Sequence, residues 1–183
     1  PEMASGRGSK TFSVTTDLSA FVDLMQDVVD ASHEAVVPAA AAGSELIYRA
    51  TLQATPHGKK GHWFTGSEGG KGRYWFPAGT LRASIYQVLS EDNTGPGYAT
   101  FHISWNYKKA PYAFMVHNGH RKRGVSKENY ESERDPIAGI HNGTSKVPAR
   151  PFVTQGRERA AGPAQDAMAK TYLDILTARG LLS

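Results

Sequence analysis

The 183-residue chain contains no cysteine. That absence excludes a disulfide scaffold, a thiolate zinc site and a cysteine nucleophile together. Nothing in it approaches about 18 consecutive apolar residues, so no membrane-spanning helix is expected. Pro1-Glu2-Met3-Ala4-Ser5-Gly6 lacks the basic and apolar regions of a secretory signal, and the expectation is a soluble intracellular protein. A strong charge excess is missing too. The 21 basic residues exceed the 17 acidic ones by four, and the isoelectric point is near 9.3. That balance permits contact with nucleic acid but is far from a DNA-coating protein. With 39% apolar residues the chain can still build a core, and a domain of this size buries about 70% of its unfolded surface.

Motifs of catalysis are also scarce. The seven histidines, His33, His57, His62, His102, His117, His120 and His141, form no His-Glu-x-x-His pattern. His117-Asn118-Gly119-His120 lies in loop-like sequence without an acidic neighbour and reads as solvated; His102 falls on the polar face of a strand. Gly66-Ser67-Glu68-Gly69-Gly70-Lys71-Gly72 resembles a phosphate loop only superficially. That loop needs glycine where Thr65 stands, Ser or Thr where Gly72 stands, and a preceding strand. No Gly-x-Ser-x-Gly elbow occurs. Without a secretion signal, the sequon Asn142-Gly143-Thr144 carries no meaning. The expectation is a non-enzyme with no catalytic, cofactor or metal site.

Residues 1–11 are a Gly/Ser-rich arm, expected to be flexible, and 12–183 one domain. Leu18, Phe21, Val22, Met25, Val28 and Val29 recur at spacings of three and four, one face of a helix. Thr16 or Asp17 caps it, and Asp23, Asp27 and Asp30 line other faces. Helical composition continues to Arg49, with a kink or break expected at Pro38. From Asp17 to Arg49 there are six acidic residues and one basic. Ala54-Thr55-Pro56 ends the helix. His57 to Phe76 holds six glycines and reads as a long mobile excursion rather than packed structure. Ala83–Ser90 and Tyr98–Tyr107 read as strands joined by the turn Asp92-Asn93-Thr94-Gly95-Pro96-Gly97. His117–Lys146 is a second excursion. Pro148 and Pro151 impose an extended approach to a closing helix, which Gly162-Pro163 begins and Gly180 stops. No internal repeat is present.

Two basic clusters stand out. Lys59, Lys60, Lys71 and Arg73 interleave with Trp63, Phe64, Tyr74, Trp75 and Phe76, while Lys108 to Lys127 includes Arg121, Lys122 and Arg123 and no acid. Cations beside stacking aromatics suit single-stranded nucleic acid. The same composition suits a protein partner, and both readings stay open.

Three motifs, in order, carry a resemblance. Gly79-Thr80-Leu81-Arg82-Ala83-Ser84-Ile85 looks like a "Thr-Gly-x-Leu-Arg-x-Ser-Ile" approach to a first strand. Ala110-Pro111-Tyr112-Ala113 followed by Val116-His117-Asn118-Gly119 looks like "Tyr-Ala…Val-Glu-x-Gly". Pro148-Ala149-Arg150-Pro151-Phe152 looks like "Pro-Ala-Arg-Pro-Phe" before a C-terminal helix. With the long first helix, this order resembles the tail-completion or neck-protein family of long-tailed double-stranded-DNA bacteriophages, over roughly Asp17 to Ala178. In these motifs Gly79 and Thr80 cap a turn, Leu81 and Ile85 seat the strand, and Phe152 anchors sheet to helix. Arg150 either pairs with a carboxylate of a neighbouring subunit or is simply solvated. His117 departs from the family's acid, and residues 57–78 and 117–147 look like inserted loops that reach adjacent rings of the neck.

The fold expected is α/β, of the α+β kind: a small antiparallel sheet of three or four strands packed against both helices on one face. The resemblance implies a structural virion protein of the neck, a homo-oligomeric ring of sixfold symmetry joining the DNA-filled head to the tail. Its implied partners are a head-side connector or stopper, tail terminator or tail tube proteins, and genomic DNA passing through the lumen, with no membrane. Its place is the virion, and the host cytoplasm during assembly. A tail-terminator or head-closure protein is the near alternative, and a single-stranded nucleic-acid-binding module the distant one.

Overall fold

The structure, a computed structural model, describes residues 16–65, 73–121 and 146–182. The arm at 1–11, the sequon, His141, Lys71, Lys122 and Arg123 lie outside the described residues.

Helix α1 spans Ser19–Ala54. The Asp17 carboxylate accepts the Ser19 amide at 2.9 Å, which satisfies one of the free donors of the first turn. That backbone bond, with help from the Ser19 hydroxyl, holds the Asp17 carboxyl below its ordinary range. At the other end the Thr55 hydroxyl donates to the Thr51 carbonyl at 2.6 Å, and Pro56 cannot continue the ladder. The break expected at Pro38 is absent, and the helix runs through it. Pro38 is exposed, as is Glu34 one turn earlier, so water can serve the carbonyl that loses its donor. The opposite face of α1, with Ala31, Ala35, Ala39 and Gly43, is buried.

Helix α4 spans Phe152–Ala178, so the expected start at Gly162-Pro163 is corrected by ten residues. Pro151 ends the extended segment, and its carbonyl accepts the Gln155 amide at 2.9 Å. Pro163 and Gly162 are again on the exposed side. At the C-terminus the Leu181 amide reaches Leu176 O and the Gly180 amide reaches Thr177 O. Gly180 has φ of 71°. Both bonds and the left-handed glycine make a Schellman stop, as its position suggested.

The two helices pair antiparallel along their length. Gly156 lies over Thr51, Gly43 over Ala164 and Met168, and Arg179 pairs with Glu34 at the far end. Apart from Thr51, which Gly156 covers, the seam is a row of small residues: Ala31, Ala35, Ala39 and Gly43 on one side, Gly156, Ala160 and Ala164 on the other. Spacing of four places them in one row, and the missing side-chain bulk brings the backbones together.

The sheet of three or four strands is not formed. Three separate antiparallel pairs occur instead among the described residues. Strands β1 (His62–Thr65) and β2 (Arg73–Phe76) form a hairpin, which corrects the reading of 57–78 as unpacked excursion. Four of the six glycines behind that reading, Gly66, Gly69, Gly70 and Gly72, fall between the strands and outside the described residues. From β2 the chain turns through Gly79, φ 83°, into a one-turn helix α2 (Thr80–Ala83), and β2 does not pair with β3. Ala83 therefore belongs to a turn, not to the strand. Strands β3 (Ile85–Leu89) and β4 (Phe101–Trp105) form the expected hairpin, with Gln87 opposite Ile103. Gln87 also donates to the Ser44 hydroxyl of α1 at 2.5 Å. A short helix α3 (Ala113–Asn118) follows, and β5 (His120–Arg121) pairs with β6 (Lys146–Val147).

The core gathers Leu81, Ile85, Ala110, Tyr112, Ala113 and Phe152, with Tyr48, Leu52, Phe64, Phe76, Ile103 and Trp105 packed around them. The fold is α+β, with two long helices and small antiparallel sheets.

Candidate functional site

A cleft of about 370 Å³ opens where α1 ends. Its lining comes from four stretches of chain: Pro56 to His62, Pro77 to Leu81, Tyr112 to His120, and Val147 to Arg150. Leu81, Tyr112, Val116 and Val147 supply apolar wall. Among the described residues, Lys60, Arg150, His57, His62 and His120 supply the ionisable nitrogens of the cleft, and no carboxylate lines it.

The local chemistry explains the positions. The Thr80 hydroxyl donates to the Pro77 carbonyl at 2.8 Å, tying off the turn. A Cβ on Gly79 would stand 3.3 Å from His57 Nε2, so this imidazole lies against the glycine backbone. Tyr112 is buried under the first hairpin: its ring meets His62 edge-on at 4.5 Å and Phe76 at 5.0 Å. Burial pushes the Tyr112 phenol above its ordinary pKa, and a hydrogen bond with the Leu81 backbone pulls the other way. The Arg150 amide donates to the Val116 carbonyl at 3.0 Å, joining the second motif to the third. Gly119 has φ of 74°, and a Cβ there would come within 2.6 Å of the Val147 carbonyl. Only glycine lets β5 and β6 close this corner of the cleft. The His120 Nδ1 lies 3.2 Å from the Met115 carbonyl, which can only accept, so that nitrogen carries the proton.

Of the motif residues, Gly79, Leu81, Tyr112, Val116 and Arg150 therefore line one cleft. Thr80, Ala113, Gly119, Pro151 and Phe152 support it from behind, Phe152 with no exposed surface. Arg82 is exposed and points elsewhere. Among the described residues Arg150 makes no ion pair, and its side chain is exposed. His117 corrects the reading of a solvated loop histidine. It is half-buried, tilted on Trp105 at 5.5 Å and edge-on to Phe152 at 5.2 Å.

The partner-contact candidates divide. Lys60 lines the cleft, and Lys59 is exposed beside it. Phe64 turns inward, 6.1 Å from Tyr112. Trp63 and Trp75 are opposite each other across β1 and β2, with ring centroids 5.3 Å apart on the outer face. Trp63, Tyr74 and Trp75 are each more than half exposed. Arg73 pairs with Thr65 and Arg121 with Lys146 along the strand backbones. No cluster of three or more metal-ligating side chains occurs among the described residues, and no described helix is long and apolar enough to cross a membrane.

Sequence reasoning missed two features. One is the contribution of His57, His62 and Val147 to the cleft, which depends on how three chain segments meet. The other is the exposure of the first turns of α1. Leu18, Phe21 and Val22 are each about 60% exposed, and Leu24, Met25 and Val29 between 41% and 51%. The apolar face that marks this helix in the sequence lies on the surface. A signal for this existed. Ala31, Ala35, Ala39, Gly43 and Gly156, Ala160, Ala164 each repeat small residues at a spacing of four, and the α1 row starts well after Leu18. No family model, no curated protein and no solved structure matches the chain.

Proposed function

We infer that this chain is a non-enzymatic assembly protein of the bacteriophage neck, a ring-forming subunit that joins the DNA-filled head to the tail. One observation carries the reading. Three motifs far apart in sequence, each similar to a neck-family segment, contribute Gly79 and Leu81, Tyr112 and Val116, and Arg150 to a single cleft. That cleft is cationic and apolar, the chemistry of a surface that receives an acidic protein segment. Removing the gene from the phage that encodes it, and imaging the lysate by electron microscopy, tests the reading. The expected result is filled heads and finished tails that fail to join. Tails of abnormal length would move the role to tail terminator, and heads that leak DNA would move it to head closure. Normal joined virions would overturn all three.

The exposed Trp63–Trp75 pair supports a second reading, a platform for single-stranded nucleic acid. Affinity for an oligonucleotide that falls steeply with salt, and is lost in Trp75→Ala, would favour it.

A further inference from the structure

The two ends of α1 carry opposite chemistry. At the C-terminal end lies the cleft with Lys60, Arg150 and three histidines. At the N-terminal end α1 outruns its partner: α4 stops at Ala178, and Arg179 pairs with Glu34. The antiparallel register leaves Ser19 to Asp30 beyond the end of α4. None of these twelve residues is buried. Phe21, Val22, Met25 and Val29 form an exposed apolar face, with Asp23, Asp27 and Asp30 across the helix from it. No lysine or arginine occurs between Lys10 and Arg49.

We propose that the overhanging end of α1 docks into the cleft of a second copy of this chain. The overhang has apolar surface to bury, and the cleft offers Leu81, Tyr112, Val116 and Val147. The overhang is anionic, and among the described residues the cleft is lined by Lys60, Arg150 and three histidines with no carboxylate. A helix of 36 residues is about 54 Å long, so an overhang cannot reach the cleft of its own chain. The contact is therefore between copies and joins unlike patches. Such a contact propagates head to tail and closes into a ring where the rotation allows. Carboxylates on the overhang disfavour an anionic membrane or nucleic acid as the occupant of that face. The proposal rests on the assembly reading above and names the contact that would build the ring.

Because the chain has no cysteine, introduced thiols report alone. Gln26→Cys places one on the overhang, and Gly58→Cys places one in the cleft with no crowding at that position. Full-length Gln26→Cys and Gly58→Cys chains are mixed and treated with a short bismaleimide. The expected result is crosslinking between the two variants and little within either. A chain bearing both substitutions should give a ladder of higher oligomers. Phe21→Asp, or Lys60→Glu with Arg150→Glu, all at exposed side chains, should lower the yield about tenfold, equivalent to about 1.4 kcal/mol. Adding Asp23→Lys and Asp27→Lys to the Lys60→Glu/Arg150→Glu chain should restore it. The proposal is overturned by self-crosslinking of Gln26→Cys alone or by equal yield from Gln165→Cys on the exposed face of α4. It is equally overturned by no crosslink at all, or by displacement with stoichiometric single-stranded DNA. Failure here leaves the neck reading standing if heads and tails still fail to join without the gene. Crosslinking alongside normal virions in the deletion would keep the contact and remove the neck reading.

Discussion

Gly156→Ala probes the closest approach between the two long helices. A Cβ at position 156 would stand 2.5 Å from the Thr51 Cα and 2.6 Å from its amide nitrogen. Carbon atoms rest at about 3.5–4 Å, so the added methyl forces the helix axes apart by about 1 Å. Backbone cannot rotate out of the way. Overpacking of this kind costs about 1–3 kcal/mol or more, and alanine returns up to about 1 kcal/mol through helix propensity. The separation also loosens Ala160 and Ala164, which are buried on the same row. A net loss of about 1–3 kcal/mol follows, a fall in Tm of about 2–12 °C for a chain of this size. Gly43→Ala provides the contrast. There the new Cβ would meet Met168 Cγ at 2.5 Å and Sδ at 2.9 Å, with the Ala164 carbonyl at 3.0 Å. A thioether side chain can swing aside, so the net change should stay within about 1 kcal/mol. Met168→Ala should relieve what remains, whereas no side-chain truncation relieves Gly156→Ala. Urea unfolding followed by far-UV circular dichroism measures both variants. Wild-type stability in Gly156→Ala, or a larger loss in Gly43→Ala, would refute the backbone-contact account.

Two further perturbations test other parts of the structure. Gly119→Ala combines a positive φ with a Cβ 2.6 Å from the Val147 carbonyl. It should cost at least about 1–3 kcal/mol and open the β5–β6 corner, seen as faster amide exchange at His120 and Val147; unchanged exchange would sink this. Tyr112 should ionise above the ordinary tyrosine range, because burial disfavours the phenolate. Its folded pKa is raised, so the protonated phenol's contribution to stability is complete below the ordinary tyrosine pKa and is lost as pH rises through the folded value. Tyr112→Phe should therefore flatten the alkaline decline in stability. A decline of the same slope would contradict the burial argument.

Much of the secondary structure was legible because it depends on near neighbours along the chain. Strand-forming residues on both sides of the turn at 92–97 placed β3 and β4, and the glycine at 180 placed the end of α4. The first helix was legible from its apolar stripe, yet that stripe is exposed and the buried face is the alanine row that follows it. Aromatics at 62–64 and 74–76 carried a strand signal that the surrounding glycine count outweighed. The two internal prolines misled because their cost depends on whether the freed carbonyl meets water, which a linear pattern does not record. For the site, the three motifs were readable one by one, but Lys60, His57 and Val147 joined them only through folding.

Composition and periodicity by themselves determined two long helices, one hairpin, a cysteine-free apolar core and an acidic first helix set against basic later segments. Each of these follows from local backbone preference or from the sum of charges. Tertiary structure alone decided that small residues weld the helices, that the strands stay in separate pairs, and that the first turns of α1 outrun α4. It alone decided that three distant motifs meet in a cationic cleft. Those outcomes depend on which surfaces find each other across tens of residues, where packing geometry rather than local propensity determines the free energy.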